Sequence, residues 1–371
     1  MKHLAEKIFV AALALSGFGF FAPQPLSAQP EVKFSGFVLL NAQYNEGNAA
    51  NPEIVTAALA GEKGSFLITP RQSRFVVSVS SKEVRWSPTA KIEMDFWGLH
   101  SGSGPAGVTQ TTPRLRLAYF EIQPGAAVKL SFGQNWIVFA PLNPASLAHQ
   151  SIPANTTAGN LWARLPMLRL DVKKQKLDFS FALNRPYGAD LSGPTGQSDL
   201  LGAGEHSQLP FAQARLTATF GKNILGVSGH YGKLDFRRNG ASKVNSQALA
   251  GDFKLAWKKF SLMGEGFLAK NVGTLFSNIK ATAQETGITE MEGKGGWGQV
   301  GLEASERVSL HAGLGTENRD NDTANTQLFA NLMVKPDKPL TFALEVGHTT
   351  TKGATIKAKN LGVNLGCQYS F

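Results

Sequence analysis

One cysteine, Cys367, stands in a chain of 371 residues. An internal disulfide and a thiolate metal cluster are therefore excluded, and with them the class of small exported domains stapled by disulfides. After the first thirty residues no stretch approaches the roughly 18 continuous apolar residues of a spanning helix, which excludes a bundle of such helices. Acids are in deficit, 27 against 37 Lys and Arg, for a formal charge of +10. No zinc finger, helix-turn-helix pattern or long basic run accompanies that excess, so no nucleic-acid partner is expected. HExxH, GxSxG and phosphate-cradling glycine motifs are absent, and the seven histidines show no ligand spacing. His149 lies alone in a long loop, and His230 and His311 lie in strand-like segments. A hydrolase without a motif is weakened by this and not eliminated; the expectation is no enzyme and no cofactor.

What is present begins with a basic MKHLAEK, an apolar IFVAALALSGFGFFA and then PQPLSAQP, in which small Ala28 suits the last position before cleavage. Residues 1–28 read as a signal peptide and 29–371 as one exported domain. The competing reading is a membrane anchor, but the apolar run is short for a span of about 20 residues and no stop-transfer cluster follows. Cleavage removes Lys2, Lys7 and Glu6 and leaves a charge of +9. The 39 glycines and 24 phenylalanines fit many short strands and turns.

Period-2 alternation runs almost from end to end. Sixteen segments carry it: 32–44, 66–80, 89–98, 113–122, 127–137, 163–172, 177–185, 210–220, 224–236, 247–257, 260–271, 297–305, 308–317, 325–335, 340–349 and 360–371. In the last, Leu361, Val363, Leu365, Cys367, Tyr369 and Phe371 fall on one face. Joins after even-numbered segments are short, as in QPGAA, KKQK and GKN, whereas 45–65, 99–112, 138–162, 186–208 and 272–296 are longer. One rim is trimmed and the other elaborated. A soluble sandwich need not sort its loops this way. An outer-membrane barrel does, because lipid offers no hydrogen-bond partner to an open edge and the strands must close. The fold expected is all-β, a 16-stranded antiparallel transmembrane barrel of the porin type, with the apolar face toward lipid.

The inward face then carries the functional information. Ile92, Met94 and Phe96 assigned to lipid turn Lys91, Glu93 and Asp95 inward; Leu115, Leu117 and Tyr119 assigned to lipid turn Arg114 and Arg116 inward. Arg74 opposes Phe75, with Arg71 nearby, Arg169 and Arg215 alternate with apolar neighbours, and Arg164 and Arg185 lie close to strand ends. Two readings stand. The arginines lower the barrier for an anion, or Lys91, Glu93, Asp95 and the arginines neutralise one another in a stiff wall. The uncharged loop at 139–160 contains Phe139, Leu142, Leu147 and Ile152, which need a surface to cover. It is a candidate for folding into the pore and narrowing it, or else a lid or a subunit contact.

TPRQSRFVVSVSS, KIEMDFWG, PRLRLAYFEI and LSFGQNWIVF together resemble the DcaP-like family of trimeric Gram-negative porins, most clearly over roughly 66–140. The resemblance implies a sixteen-stranded homotrimeric barrel admitting small anionic solutes, such as dicarboxylates, through a basic constriction. By motif position it carries over Arg71, Arg74, Arg114 and Arg116, with Trp136 at the base of the loop. Some relatives have a coiled-coil segment before the barrel, and here the first strand follows Ala28 within a few residues. The terminal strand resembles the signal read by the barrel-insertion machinery. The resemblance thus implies the outer membrane, with its lipid and lipopolysaccharide, as the surroundings. A non-selective diffusion porin and a structural or adhesion barrel remain the alternatives.

Overall fold

A strand that crosses lipid must give every backbone N–H and C=O to a neighbouring strand. In the computed structural model, which describes residues 29–61, 63–98, 111–186, 202–236, 243–272, 290–319, 323–353 and 357–371, closure meets that demand. The first half contains β1 (Glu31–Asn45), a small ribbon β2 (Ala49–Ala50) and β3 (Ala57–Ala58), then β4 (Ser65–Thr69), β5 (Arg74–Ser80), β6 (Thr89–Gly98), β7 (Thr112–Gly125) and β8 (Val128–Trp136). After a long connection come β9 (Arg164–Lys174), β10 (Leu177–Asn184), a single helical turn α1 (Ala203–His206), β11 (Phe211–Phe220), β12 (Asn223–Asp235) and β13 (Lys243–Trp257). The last are β14 (Phe260–Lys270), β15 (Glu292–Glu303), β16 (Val308–Arg319), β17 (Ala324–Val334), β18 (Leu340–Lys352) and β19 (Lys357–Ser370).

From β5 onward each wall strand pairs antiparallel with its successor, and β19 returns to β1, with Phe37 opposite Ser370 and Asn45 opposite Gly362. The other edge of β1 pairs with both β4 and β5, so these two are halves of one wall strand and the barrel has sixteen. The seam is closed to the last residue: Phe371 and Gly36 exchange both backbone hydrogen bonds, at 3.0 and 3.1 Å. The segment 1–28, expected to be a signal peptide, lies outside the described residues, as does much of the connections at 99–112, 186–208 and 272–296.

Two bulges set which side chains point inward. Phe37 faces Arg74 while Asn41 faces Thr69, so one extra residue is inserted between β4 and β5, around Pro70, which has no N–H to give the ladder. Exposed Phe66 and Ile68 are even-numbered and exposed Phe75 is odd, which is the change of face that one inserted residue produces. In β7, Glu93 faces Leu117 but Met94 faces Leu115. Leu115 and Phe120 are exposed on the outside, whereas Arg116 and Leu117 are both buried. The alternation therefore slips here, and the expectation that Leu117 and Tyr119 share the outer face of Leu115 is corrected: Leu117 is 3% exposed, and Tyr119 pairs with inward Lys91.

Elsewhere the outer face is apolar, with Leu249, Leu268, Val300, Leu314, Leu361, Leu365, Tyr369 and Phe371 exposed and Asn360 and Asn364 buried behind them. Among the described residues no helix is long and apolar enough to cross a membrane. The interior holds two segments of chain. Residues 137–163 lie against the inner wall, and their roots, Ile137 to Ala140 and Leu161 to Ala163, join Phe211, Leu234, Phe236, Val244 and Phe267 in an apolar cluster. The connection after β1, expected on the elaborated rim, also turns inward, burying Glu53, Ile54 and Thr56.

A charge on the lipid face near the middle of a strand costs about 2–4 kcal/mol. Leu249→Lys, at the middle of β13, is expected to lower the unfolding free energy in lipid vesicles by that amount in a denaturant titration.

Candidate functional site

The segment 137–163 contains no Asp, Glu, Lys or Arg. Its single titratable side chain, His149, lies 3.6 Å from Glu345. Burial lowers the pKa of His149 from its ordinary value, against the pull of Glu345, so it adds no charge at neutral pH. A neutral segment laid in a polar lumen must satisfy its peptide groups on the wall. On one side carboxylates and amides accept: Glu265 of β14 from the Leu142 N–H, Gln299 of β15 from the Ala145 N–H at 2.7 Å, and Glu345 of β18 from the Ser146 hydroxyl at 2.6 Å. Asn331 of β17 donates to the Ala145 carbonyl at 2.9 Å.

On the other side the wall donates. Arg74 donates to the Gln150 carbonyl, and Arg114 and Arg116 donate to the Ser151 carbonyl at 3.1 and 3.2 Å. Gln72, fully buried at the β4–β5 bulge, acts as a substitute strand edge: its Oε1 accepts from the Gln150 and Ser151 N–H groups at 2.7 and 2.9 Å, and its Nε2 donates to the Ala148 carbonyl at 2.8 Å. The segment is thus a strap across the lumen. Its far end passes Gly296 and Gly315 so closely that a Cβ on Gly159 would meet the Gly296 backbone and one on Gly315 would meet the Ala158 carbonyl; Gly159 also has φ +98°. The inward segment after β1 abuts it, since the Thr157 hydroxyl donates to the Thr56 carbonyl, which also accepts from Asn325 and Gln327 at 2.9 Å.

The charged side chains beneath the strap come from three adjacent strands, where Arg74 faces Asp95 and Asp95 faces Arg114. Arg114 forms a two-pronged pair with Asp95 at 3.0 and 2.6 Å. Arg116 bridges Glu93 at 2.8 Å and Asp95 at 2.9 Å, both acids being buried. Arg74 lies 3.6 Å and Lys91 3.2 Å from Glu93. Arg71 pairs with Glu53 at 2.9 Å and stacks on Trp97 at 4.2 Å. Arg169 and Arg215 stand apart from this group, each held by its own carboxylate, Asp171 at 2.8 Å and Asp252. Trp136, at the base of the strap, packs under Arg164, which also lies over Trp162.

The structure therefore brings together Arg74, Lys91, Glu93, Asp95, Arg114 and Arg116, sets Arg71 and Trp136 at the margins, and separates Arg169 and Arg215. Sequence reasoning missed the strap's anchors Gln72, Glu265, Gln299 and Glu345. None has a local signature, because each partner is dozens to hundreds of residues away in the chain. Among the described residues no group of His, Cys, Asp and Glu could hold a metal ion.

The structure is similar to the crystal structure of the outer-membrane channel DcaP of Acinetobacter baumannii, with TM-score 0.75 and 16% identity over 95% of this chain and 100% of that one. The chain has the fold of an outer-membrane porin. It is a multi-pass barrel of the kind typical of outer-membrane proteins. An anion-selective porin from Comamonas acidovorans has TM-score 0.62 and 10% identity over 92% of this chain and 100% of that one. OmpT of Vibrio cholerae has TM-score 0.60 and 11% identity over 93% and 99%. No protein-family model and no curated protein matches this chain's sequence.

Gln72→Leu removes three hydrogen bonds and leaves buried strap groups without partners, at about 1–3 kcal/mol for each unsatisfied group. Single-channel recordings of this variant in planar bilayers are expected to show a larger and noisier conductance than the parent, as the strap lifts from the β4–β5 bulge.

Proposed function

We propose that this protein is a passive outer-membrane porin in which the strap narrows the lumen and the wall beneath it favours small anions, dicarboxylates among them. One observation carries the reading. Five cationic side chains, Arg74, Lys91, Arg114, Arg116 and Arg164, share a stretch of wall with two carboxylates, Glu93 and Asp95, for an excess of three positive charges. The strap adds no acid to offset them. The Comamonas acidovorans porin of similar fold is anion-selective, which supports the same direction. Assembly as a homotrimer, insertion through the β19 signal, contact with outer-membrane lipid and lipopolysaccharide, and cleavage after Ala28 belong to this reading.

The second reading, a non-selective diffusion porin, is favoured by the pairing itself. Arg71, Arg74, Arg114, Arg116, Arg169 and Arg215 each have a carboxylate within 4 Å, so much of the basic character is cancelled at close range. The magnitudes separate the two. One uncompensated charge is worth about 1 kcal/mol to an ion 4 Å away in water-like surroundings, with opposite sign for anion and cation. The resulting difference of about 2 kcal/mol is roughly thirtyfold at contact and is reduced by salt, because the screening length falls from about 10 Å at 0.1 M to about 3 Å at 1 M.

In planar bilayers with a KCl gradient near 0.1 M, the reversal potential is expected to give a chloride-to-potassium permeability ratio of about 3 to 30, falling toward one near 1 M. A ratio near one in dilute salt contradicts the anion reading and leaves the non-selective one, and a ratio well below one contradicts both.

A further inference from the structure

Most of the guanidinium groups beneath the strap are already engaged. Arg74, Arg114 and Arg116 each face a carboxylate and give further donors to the carbonyls of Gln150 and Ser151, so their fixed task is to hold the strap down. Arg164 differs in having neither a carboxylate nor a strap carbonyl as partner among the described residues. It opens β9 directly after the strap, opposite Trp136, the last residue of β8. Its guanidinium lies 4.9 Å from the Trp136 ring centroid and 5.0 Å from that of Trp162, with the two indoles 6.0 Å apart. Trp162 is itself fixed by a 2.7 Å hydrogen bond from its indole N–H to the Thr156 hydroxyl. Contact with two indoles inclined at 62° to each other restrains the guanidinium without occupying its N–H donors.

No carboxylate among the described residues pairs with Arg164, and its buried Nη1 has no hydrogen-bond partner there. A buried charged donor without an acceptor is costly to maintain. The group also stands in the field of Arg116, Arg114 and Arg74, which Asp95 offsets in part. An acceptor that carries negative charge answers both conditions at once, and a carboxylate matches the geometry of the fork.

We propose that Arg164, clamped by Trp136 and Trp162, is a carboxylate-docking site at the root of the strap, and that a permeating organic anion pauses there and not on the Arg74, Arg114 and Arg116 group. The inference rests on the anion reading above and adds the place and the chemistry of the contact. Arg164 is then the residue that sets specificity, and the paired arginines position the strap around it.

The test uses the full-length protein in planar bilayers, with potassium succinate added to KCl and the single-channel current followed as succinate rises. The parent is expected to show a saturable fall in current. Arg164→Gln keeps a planar group beside the indoles and removes the charge; the half-saturating succinate concentration is expected to rise about tenfold. Arg307→Gln makes the same change in formal charge at an exposed turn and is expected to stay within about twofold of the parent. Arg164→Lys keeps the charge and loses the fork, and is expected to fall between the parent and Arg164→Gln; it carries the test if Arg164→Gln does not reach the folded, heat-modifiable form. A parent without saturation overturns the docking site, and the anion reading falls with it only where the KCl reversal potential of the same protein also shows no anion bias. Saturation that persists unchanged in Arg164→Gln, or in Arg164→Lys where that variant stands in, overturns the docking site alone.

Discussion

A neutral strap and a charged wall satisfy each other, and the arrangement of the lumen depends on that exchange. The strap brings peptide groups and hydroxyls with no ionised side chain of its own. The wall brings Glu265 and Glu345 on one side and Arg74, Arg114 and Arg116 on the other. The guanidinium groups hold peptide carbonyls more firmly than neutral donors do, since hydrogen bonds to charged partners are roughly twice as strong. The strap in turn replaces part of the water those buried charges would otherwise require. Removing either side leaves the other with costly vacant groups, which is why the strap lies on the wall and does not hang in the channel.

Closure of the barrel makes the exchange possible, and the two bulges aim it. Without the extra residue between β4 and β5, the alternation of β4 would carry Arg74 to the outer face, and without the slip in β7 Arg116 and Leu117 could not both be inside. Gln72 sits at the first bulge, where its side-chain amide does for the strap what a neighbouring strand does elsewhere. Irregularity in the ladder and the contact with the strap thus coincide. The glycines at 159, 296 and 315 serve the same end by letting two backbones approach where a Cβ would intervene.

Much of the wall was legible in the sequence, because a strand between lipid and water writes its two environments into alternate residues. The terminal strand shows this to its last position, with Leu361, Leu365, Tyr369 and Phe371 outside and Asn360 and Asn364 inside. The basic and acidic residues of β5, β6 and β7 were legible as inward for the same reason, except where the slip in β7 moved Leu117 and Tyr119 off the expected face. The interior was less legible. Phe211 and Phe267 hold inward positions of the alternation yet are apolar, because they cover the apolar roots of the strap and not lipid. The partners of Gln72, Glu265 and Glu345 are fixed by closure of the whole barrel, which no local pattern reports. Arg164 reads in sequence as a charge at a strand end; only its pairing with Trp136 and the approach of Trp162 give it a distinct setting.

Amide hydrogen exchange of the protein in lipid nanodiscs, followed by mass spectrometry over peptides from 137–163, tests most directly whether the strap is bound to the wall. Its amides at Leu142, Ala145, Gln150 and Ser151 donate to wall side chains, so exchange as slow as that of the neighbouring strands, over hours, is the result this account predicts. Exchange of the whole segment within seconds, as for a loop free in water, would contradict it.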